Sequence, residues 1–257
     1  MSSPAKRVLL VGEPPLADEL GQLCGDAGCA VSVYRVEVLA GTDGLEVIRR
    51  EAKSADVAFD ILSASIEAKQ QVVTALDAAL APDALLFTSA LSTTATQVGS
   101  WAGRPERMIG FAALPPLGKG GTLELAAGLR SNAQAVERAC EFVASIGLEP
   151  VLVKDSVGLV LPRIVCGLVN EAAGALAEGV ADTAAIDTAM RLGTNYPRGP
   201  LEWADLIGLD VVLAVLEGLQ KETGDDRYRP APILRQYIRA GWLGRKSGKG
   251  FYTYTDH

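Results

Sequence analysis

Histidine is almost missing from this chain of 257 residues: the only one is His257, at the last position. Chain termini are usually mobile, so acid–base catalysis by histidine and histidine metal sites are excluded from the body of the chain. Aromatic residues are also few, at 5%, while hydrophobic residues reach 49%. Alanine, leucine and valine must therefore fill most of the core. Positive charge is in deficit: the net charge is −7, which argues against nucleic acid or an anionic membrane as partner. No apolar run reaches the roughly 18 residues of a membrane span, and the N-terminal Met-Ser-Ser-Pro-Ala-Lys-Arg does not have the form of a signal peptide. The four cysteines, Cys24, Cys29, Cys140 and Cys166, lack metal-ligand spacing. They are expected as buried, reduced thiols of a cytoplasmic protein, and no metal is expected.

What is present is a regular alternation. Arg7–Val11 is a short apolar strand followed by Gly12. Leu16, Leu20, Leu23, Cys24 and Ala27 then recur at helical spacing, and Gly28 closes that helix. Ala30–Tyr34 is a second strand, so the first 34 residues read as a βαβ unit of the dinucleotide-binding kind. Further strands are expected at 57–61, 84–88, 108–111, 122–126 and 148–153, the 122–126 strand near an edge. Helices are expected at 66–80 and 94–101, and from a Ser131 cap through Ile146. This pattern predicts an α/β, doubly wound and mainly parallel sheet over residues 1–155, with a joint at Asp155-Ser156.

Residues 156–257 read as all-helical. Ile164, Val165, Leu168, Val169, Ala172, Ala175 and Leu176 follow three- and four-residue steps. Asp182 can cap a helix over 183–192, and Gly199-Pro200 opens another. Further apolar segments run from Val211 to Leu219 and from Ile233 to Ile238. Asn170-Glu171 is either a polar network or an exposed stripe. The basic tail Arg245-Lys246-Ser-Gly-Lys249 is expected as a surface turn, anchored by the rings of Phe251 and Tyr252.

A series of motifs in this second half carries a resemblance: Asn170-Glu171-Ala172, the segments 186–190 and 192–201, Ala204–Asp210, and Gly244–Tyr252. Together they resemble the C-terminal domain of the 3-hydroxyacyl-CoA dehydrogenases. The resemblance implies a Rossmann-like NAD domain followed by a helical dimerisation domain, and an NAD-dependent interconversion of 3-hydroxyacyl-CoA and 3-ketoacyl-CoA.

The first half departs from the family's site. The GxGxxG turn is written Gly12-Glu-Pro-Pro-Leu16-Ala17. Gly12 and Leu16 stay as cofactor-side positions, but Pro14 stands where the second glycine lets the backbone approach the diphosphate, and Glu13 adds a like charge. Arg35 replaces the acidic residue for the ribose; it is either a 2′-phosphate ligand or a surface arginine on a disused site. Between Tyr34 and Asp56 there is room for one helix, where the family's CoA-clamping hairpin needs more. Asp60 keeps one acid of the third strand, while Ala64 replaces the other. The family's catalytic serine falls on Leu91 in one register and on Ser89 in another. Its histidine falls on Ala112, its histidine-orienting carboxylate on Glu124, and its asparagine on Pro162. Glu124 could equally be a solvated carboxylate on an edge strand.

Residual catalytic residues are thus Glu124 and Ser89, cofactor residues Gly12, Leu16 and Arg35, and the cofactor NAD if any binds. The expected role is a catalytically impaired member serving as a structural or regulatory subunit, a homodimer or a heteromer with an active paralogue. The alternative is a working NAD-dependent oxidoreductase.

Overall fold

In the computed structural model, which describes residues 5–35 and 43–255, the apolar runs of the first half build a seven-stranded sheet. Its strands are β1 (Arg7–Val11), β2 (Ala30–Tyr34), β3 (Val57–Asp60), β4 (Leu85–Ser89), β5 (Met108–Ala112), β6 (Thr122–Ala127) and β7 (Glu149–Lys154). They lie in the order β2-β1-β3-β4-β5-β6-β7. Every neighbouring pair is parallel except β5 with β6. Helices α1 (Leu16–Asp26), α2 (Gly44–Ala52), α3 (Ile66–Ala79), α4 (Ala95–Gly99) and α5 (Ala133–Ser145) connect the strands.

Alternate side chains of each strand enter two separate cores. On one face Phe59, Phe87 and Phe111 meet Leu20 of α1 and Phe142 of α5. Four of the five phenylalanines gather here, with Phe59 and Phe87 stacked at 4.4 Å. On the other face Leu9, Ala58 and Leu86 meet Ile48, Val72 and Leu76. A sheet covered on both faces is the doubly wound arrangement that the alternation predicts.

Three expectations change. Strand β6 is not at the edge: it lies between β5 and β7, because α5 carries the chain past it and lays β7 outside. Helix α5 is capped by Asn132, whose side chain accepts the Ala135 N–H at 2.6 Å; the Ser131 hydroxyl is taken instead by the Met108 carbonyl. All four cysteines are free thiols, but only Cys24 and Cys166 are buried; Cys29 and Cys140 are partly buried against the core beneath α1 and α5.

The compact units are 1–159 and 160–257. Asp155 belongs to the first, where its carboxylate accepts the Ala95 and Thr96 N–H groups at the start of α4, both at 2.8 Å. The second unit holds α6 (Leu161–Ala177), α7 (Thr183–Thr194), α8 (Pro200–Ile207), α9 (Leu209–Thr223) and α10 (Pro232–Arg239). Asp182 caps α7 through the Ala185 N–H. Asn170 clamps two distant backbone groups of this unit, donating to the Arg229 carbonyl and accepting from Ala231, while Glu171 is exposed.

The glycine-rich tail is held by carboxylates more than by its rings. Asp205 of α8 accepts the N–H groups of Phe251 (2.9 Å) and Tyr252 (2.8 Å) and the Tyr254 hydroxyl. A Cβ on Gly250 would lie 2.0 Å from Asp205 Oδ1, so only glycine admits this approach. The tail's cations are spent locally: Lys246 pairs with Asp210, Arg245 covers the Tyr254 ring, and Lys249 covers Trp242. Among the described residues no helix is long and apolar enough to cross a membrane.

Candidate active site

In an open α/β sheet, ligands collect at the carboxyl ends of the strands where the strand order reverses. Here that point lies between β1 and β3. Gly12 follows β1 directly, and a Cβ there would stand 2.5 Å from the Ile61 Cβ. Glycine is therefore required to seat β1 against the end of β3, whatever else the turn does.

The turn itself is poor in anion donors. Pro14 and Pro15 have no N–H, and the peptide bond joining them is cis. Pro15 occupies the cap position of α1 and offers no side-chain bond. The Ala17 N–H is turned back to the Glu13 carbonyl at 3.2 Å. Leu16 is buried in the core below. Two acids, Asp18 and Glu19, stand in the first turn of α1. Asp18 grips Arg35 through both carboxylate oxygens, at 3.0 and 3.1 Å. Glu19 accepts the Leu117 N–H at 2.9 Å, and burial pushes its carboxyl above the usual range against that bond. A helix N-terminus favours an anion, but this one carries Glu13, Asp18 and Glu19, and its nearby cation is neutralised. The residues present do not fit a dinucleotide diphosphate.

At the end of β3, Asp60 is fully buried and serves structure. Lys69 Nζ donates to it at 2.5 Å and the Thr88 hydroxyl at 2.7 Å, while its other oxygen accepts the Leu62 N–H. Lys69 also donates to the Leu62 carbonyl and is itself fully buried. Burial holds its ammonium below the ordinary lysine range despite Asp60. The sequence signal for this pair is a lysine on the buried stripe of α3, three and four residues before Val72 and Val73. Ala64 is exposed, one residue ahead of the Ser65 cap of α3.

The remaining positions fall on β4, β5 and β6. Ser89 ends β4 with its hydroxyl buried and without a hydrogen-bond partner, as is that of Ser92. Leu91 is buried. Ala112 and Glu124 are register partners across the antiparallel β5/β6 pair. Glu124 is thus an interior-strand residue, buried to 8% exposure, rather than a solvated edge carboxylate. Ser89 pairs with Phe111, and Phe111 with Leu125. The pleat consequently turns Ser89 and Glu124 to opposite faces of the sheet, so these two are not brought together. In the second unit, Pro162 is buried in the first turn of α6.

Residues 18–156 match the family model described as 3-hydroxyacyl-CoA dehydrogenase, NAD binding domain, and residues 158–254 match that of the 3-hydroxyacyl-CoA dehydrogenase, C-terminal domain. The first match begins beyond the Gly12–Ala17 turn. A probable 3-hydroxybutyryl-CoA dehydrogenase of Bacillus subtilis is 31% identical over 281 aligned positions, covering 98% of each chain. The 3-hydroxybutyryl-CoA dehydrogenase of Clostridioides difficile is 40% identical over 197 residues, 76% of this chain and 70% of that one. The crystal structure of (S)-3-hydroxybutyryl-CoA dehydrogenase from Ralstonia eutropha covers 98% of this chain and all of its own, with a TM-score of 0.77 and 29% identity.

Proposed function

This chain belongs to the 3-hydroxyacyl-CoA dehydrogenase family, and from that premise we propose that it is a catalytically impaired member serving as a structural or regulatory subunit. The observation that carries the reading is the pairing of Ala112 with Glu124. The resemblance assigns these positions to the histidine that takes the hydroxyl proton and to the carboxylate that orients it. A methyl group cannot accept a proton, and the only histidine of the chain is residue 257. General acid–base catalysis is worth about 10²- to 10⁴-fold, so its loss alone makes a slow enzyme.

Independent features support the same reading. The diphosphate turn is poor in donors and gathers carboxylates, so NAD is held weakly if it binds. The asparagine position is Pro162, which has no side-chain amide to offer a carbonyl. Among the described residues one helix, α2, lies between β2 and β3, which leaves the CoA-clamping hairpin without a counterpart. The tail and helix motifs of the second unit, by contrast, are intact, and Asn170, Asp187, Asp205 and Gly250 among them are used in its packing. That unit also exposes Val160, Ile164, Val180 and Leu192, apolar surface suited to a second subunit. The partner is a copy of this chain or an active paralogue.

The other reading is an NAD-dependent oxidoreductase acting on 3-hydroxyacyl-CoA, favoured by the identity to relatives named for that activity. NADH oxidation by the purified chain with acetoacetyl-CoA, beside an active family member, separates the two. Turnover near the control overturns the impaired reading. Absence of turnover in a folded protein supports it and directs attention to native co-purification, where recovery only as a homodimer counts against the heteromer.

A further inference from the structure

Helix α1 ends in a tight turn whose geometry brings two cysteines together. The Cys29 N–H donates to the Cys24 carbonyl at 3.0 Å, the Ala27 N–H to Leu23 and the Gly28 N–H to Gly25. Gly28 takes a φ of +82°. In such a left-handed ending, the residue after the glycine folds back onto the residue one turn before the helix end; here these are Cys29 and Cys24. The single hydrogen bond also bounds their separation. The Cys24 Cα is about 2.4 Å from its own carbonyl oxygen and the Cys29 Cα about 1.5 Å from its nitrogen, so the two Cα atoms are no more than about 7 Å apart. Disulfides span Cα separations of about 4.4–6.8 Å. Both side chains also join the same hydrophobic cluster beneath α1.

We propose that Cys24 and Cys29 are a redox-modification site, closing to an intramolecular disulfide when the protein meets a small-molecule disulfide. Cys29 reacts first. It is the more exposed of the two; burial raises its thiol above the ordinary range, and the Lys6 ammonium offsets part of that rise. Its sulfur attacks one sulfur of the reagent, forming a mixed disulfide and releasing one small thiol. Cys24 then attacks the Cys29 sulfur, and the second small thiol leaves. Two protein S–H bonds and one reagent S–S bond are replaced by one protein S–S bond and two small thiols, so the protein is oxidised by two electrons and the reagent is reduced. Burial pushes the Cys24 thiol up to about 12, which makes closure the slow step, and proximity carries it. The closed form ties the end of α1 to the start of β2.

The test uses the whole protein and oxidised glutathione, followed by unfolding, alkylation and peptide mass spectrometry. Trypsin releases both cysteines in one segment, Val8–Arg35. The proposal expects this segment to be lighter by two hydrogens and to take up no alkyl group, while Cys140 and Cys166 are alkylated. A lasting glutathione adduct on Cys29 with Cys24 alkylated overturns it, as does a bond from Cys29 to Cys140 or to a second chain. A C24A variant should stop at the Cys29 adduct; if it takes no glutathione, Cys29 is inaccessible and the proposal fails.

Discussion

Ala112 stands directly opposite Glu124 across the one antiparallel pair of the sheet. The carboxylate is on an interior strand and its facing position holds only a methyl group. An imidazole placed there would meet a carboxylate that favours its charged form. The A112H variant should therefore titrate above the ordinary histidine value of about 6.5. NMR can follow it readily, because His257 supplies the only other imidazole signal. Ala112 is nearly inaccessible, so overpacking should cost about 1–3 kcal/mol of stability. Turnover with acetoacetyl-CoA should stay far below that of an active relative, since Pro162 and the proline turn remain. An imidazole at or below the ordinary value would mean that burial outweighs the Glu124 carboxylate at this site.

The turn after β1 makes a separate prediction about NAD. Replacing Glu13 removes a charge that opposes an anion at the helix end, worth about 0.3–1 kcal/mol. Replacing Pro14 by glycine restores an N–H, and one net hydrogen bond is worth about 1 kcal/mol. The E13A/P14G double variant should thus bind NAD roughly tenfold more tightly than the natural chain. Isothermal titration calorimetry on both proteins measures this directly. Equal affinities would mean that the turn does not set the affinity for NAD.

Local signals made much of the fold legible and little of its long-range chemistry. The strand–helix alternation, the Asp182 cap and the Gly199-Pro200 start are written in neighbouring residues. The interior place of β6 depends on where α5 delivers β7, which no local pattern encodes. Ser131 and Asn132 are both able caps, but the serine oxygen accepts the Gly128 N–H and its hydroxyl donates to the Met108 carbonyl, which leaves the cap to Asn132. The glycines of the tail were visible as a motif, but their reason, the Asp205 carboxylate, is 46 and 47 residues from the N–H groups it accepts. The altered site was legible because histidine is nearly absent from the composition. The face on which Ser89 lies was not, because it follows from sheet register.

The Asp60–Lys69 pair should be the most sensitive polar contact of the first unit. Both groups are fully buried. K69M would leave Asp60 with only the Thr88 hydroxyl and the Leu62 N–H. Breaking one partner of a buried pair typically costs about 3–5 kcal/mol, whereas neutralising both is often close to neutral. Urea unfolding should show a large loss for K69M and recovery of most of it in D60N/K69M. A loss equal in the single and double variants would mean that packing, rather than charge, explains the buried lysine.

Two phenols give the second unit a sensitivity to alkali. Tyr252 donates to Asp187 at 2.8 Å and Tyr254 to Asp205 at 3.0 Å. Burial first, and the adjoining carboxylates second, raise both hydroxyls above the ordinary value of 10.0. A group whose folded value is raised holds its proton more tightly in the native state. Its contribution is therefore complete below pH 10 and is lost as the pH rises through the folded value. Urea midpoints measured from pH 9 upward should fall once pH 10 is passed, before Tyr252 and Tyr254 ionise in the folded protein. The Y252F/Y254F variant should be less stable at neutral pH, having lost both hydrogen bonds, and its decline above pH 10 should be shallower. Parallel declines in the two proteins would assign the alkaline loss to other groups and leave these hydroxyls with no part in it.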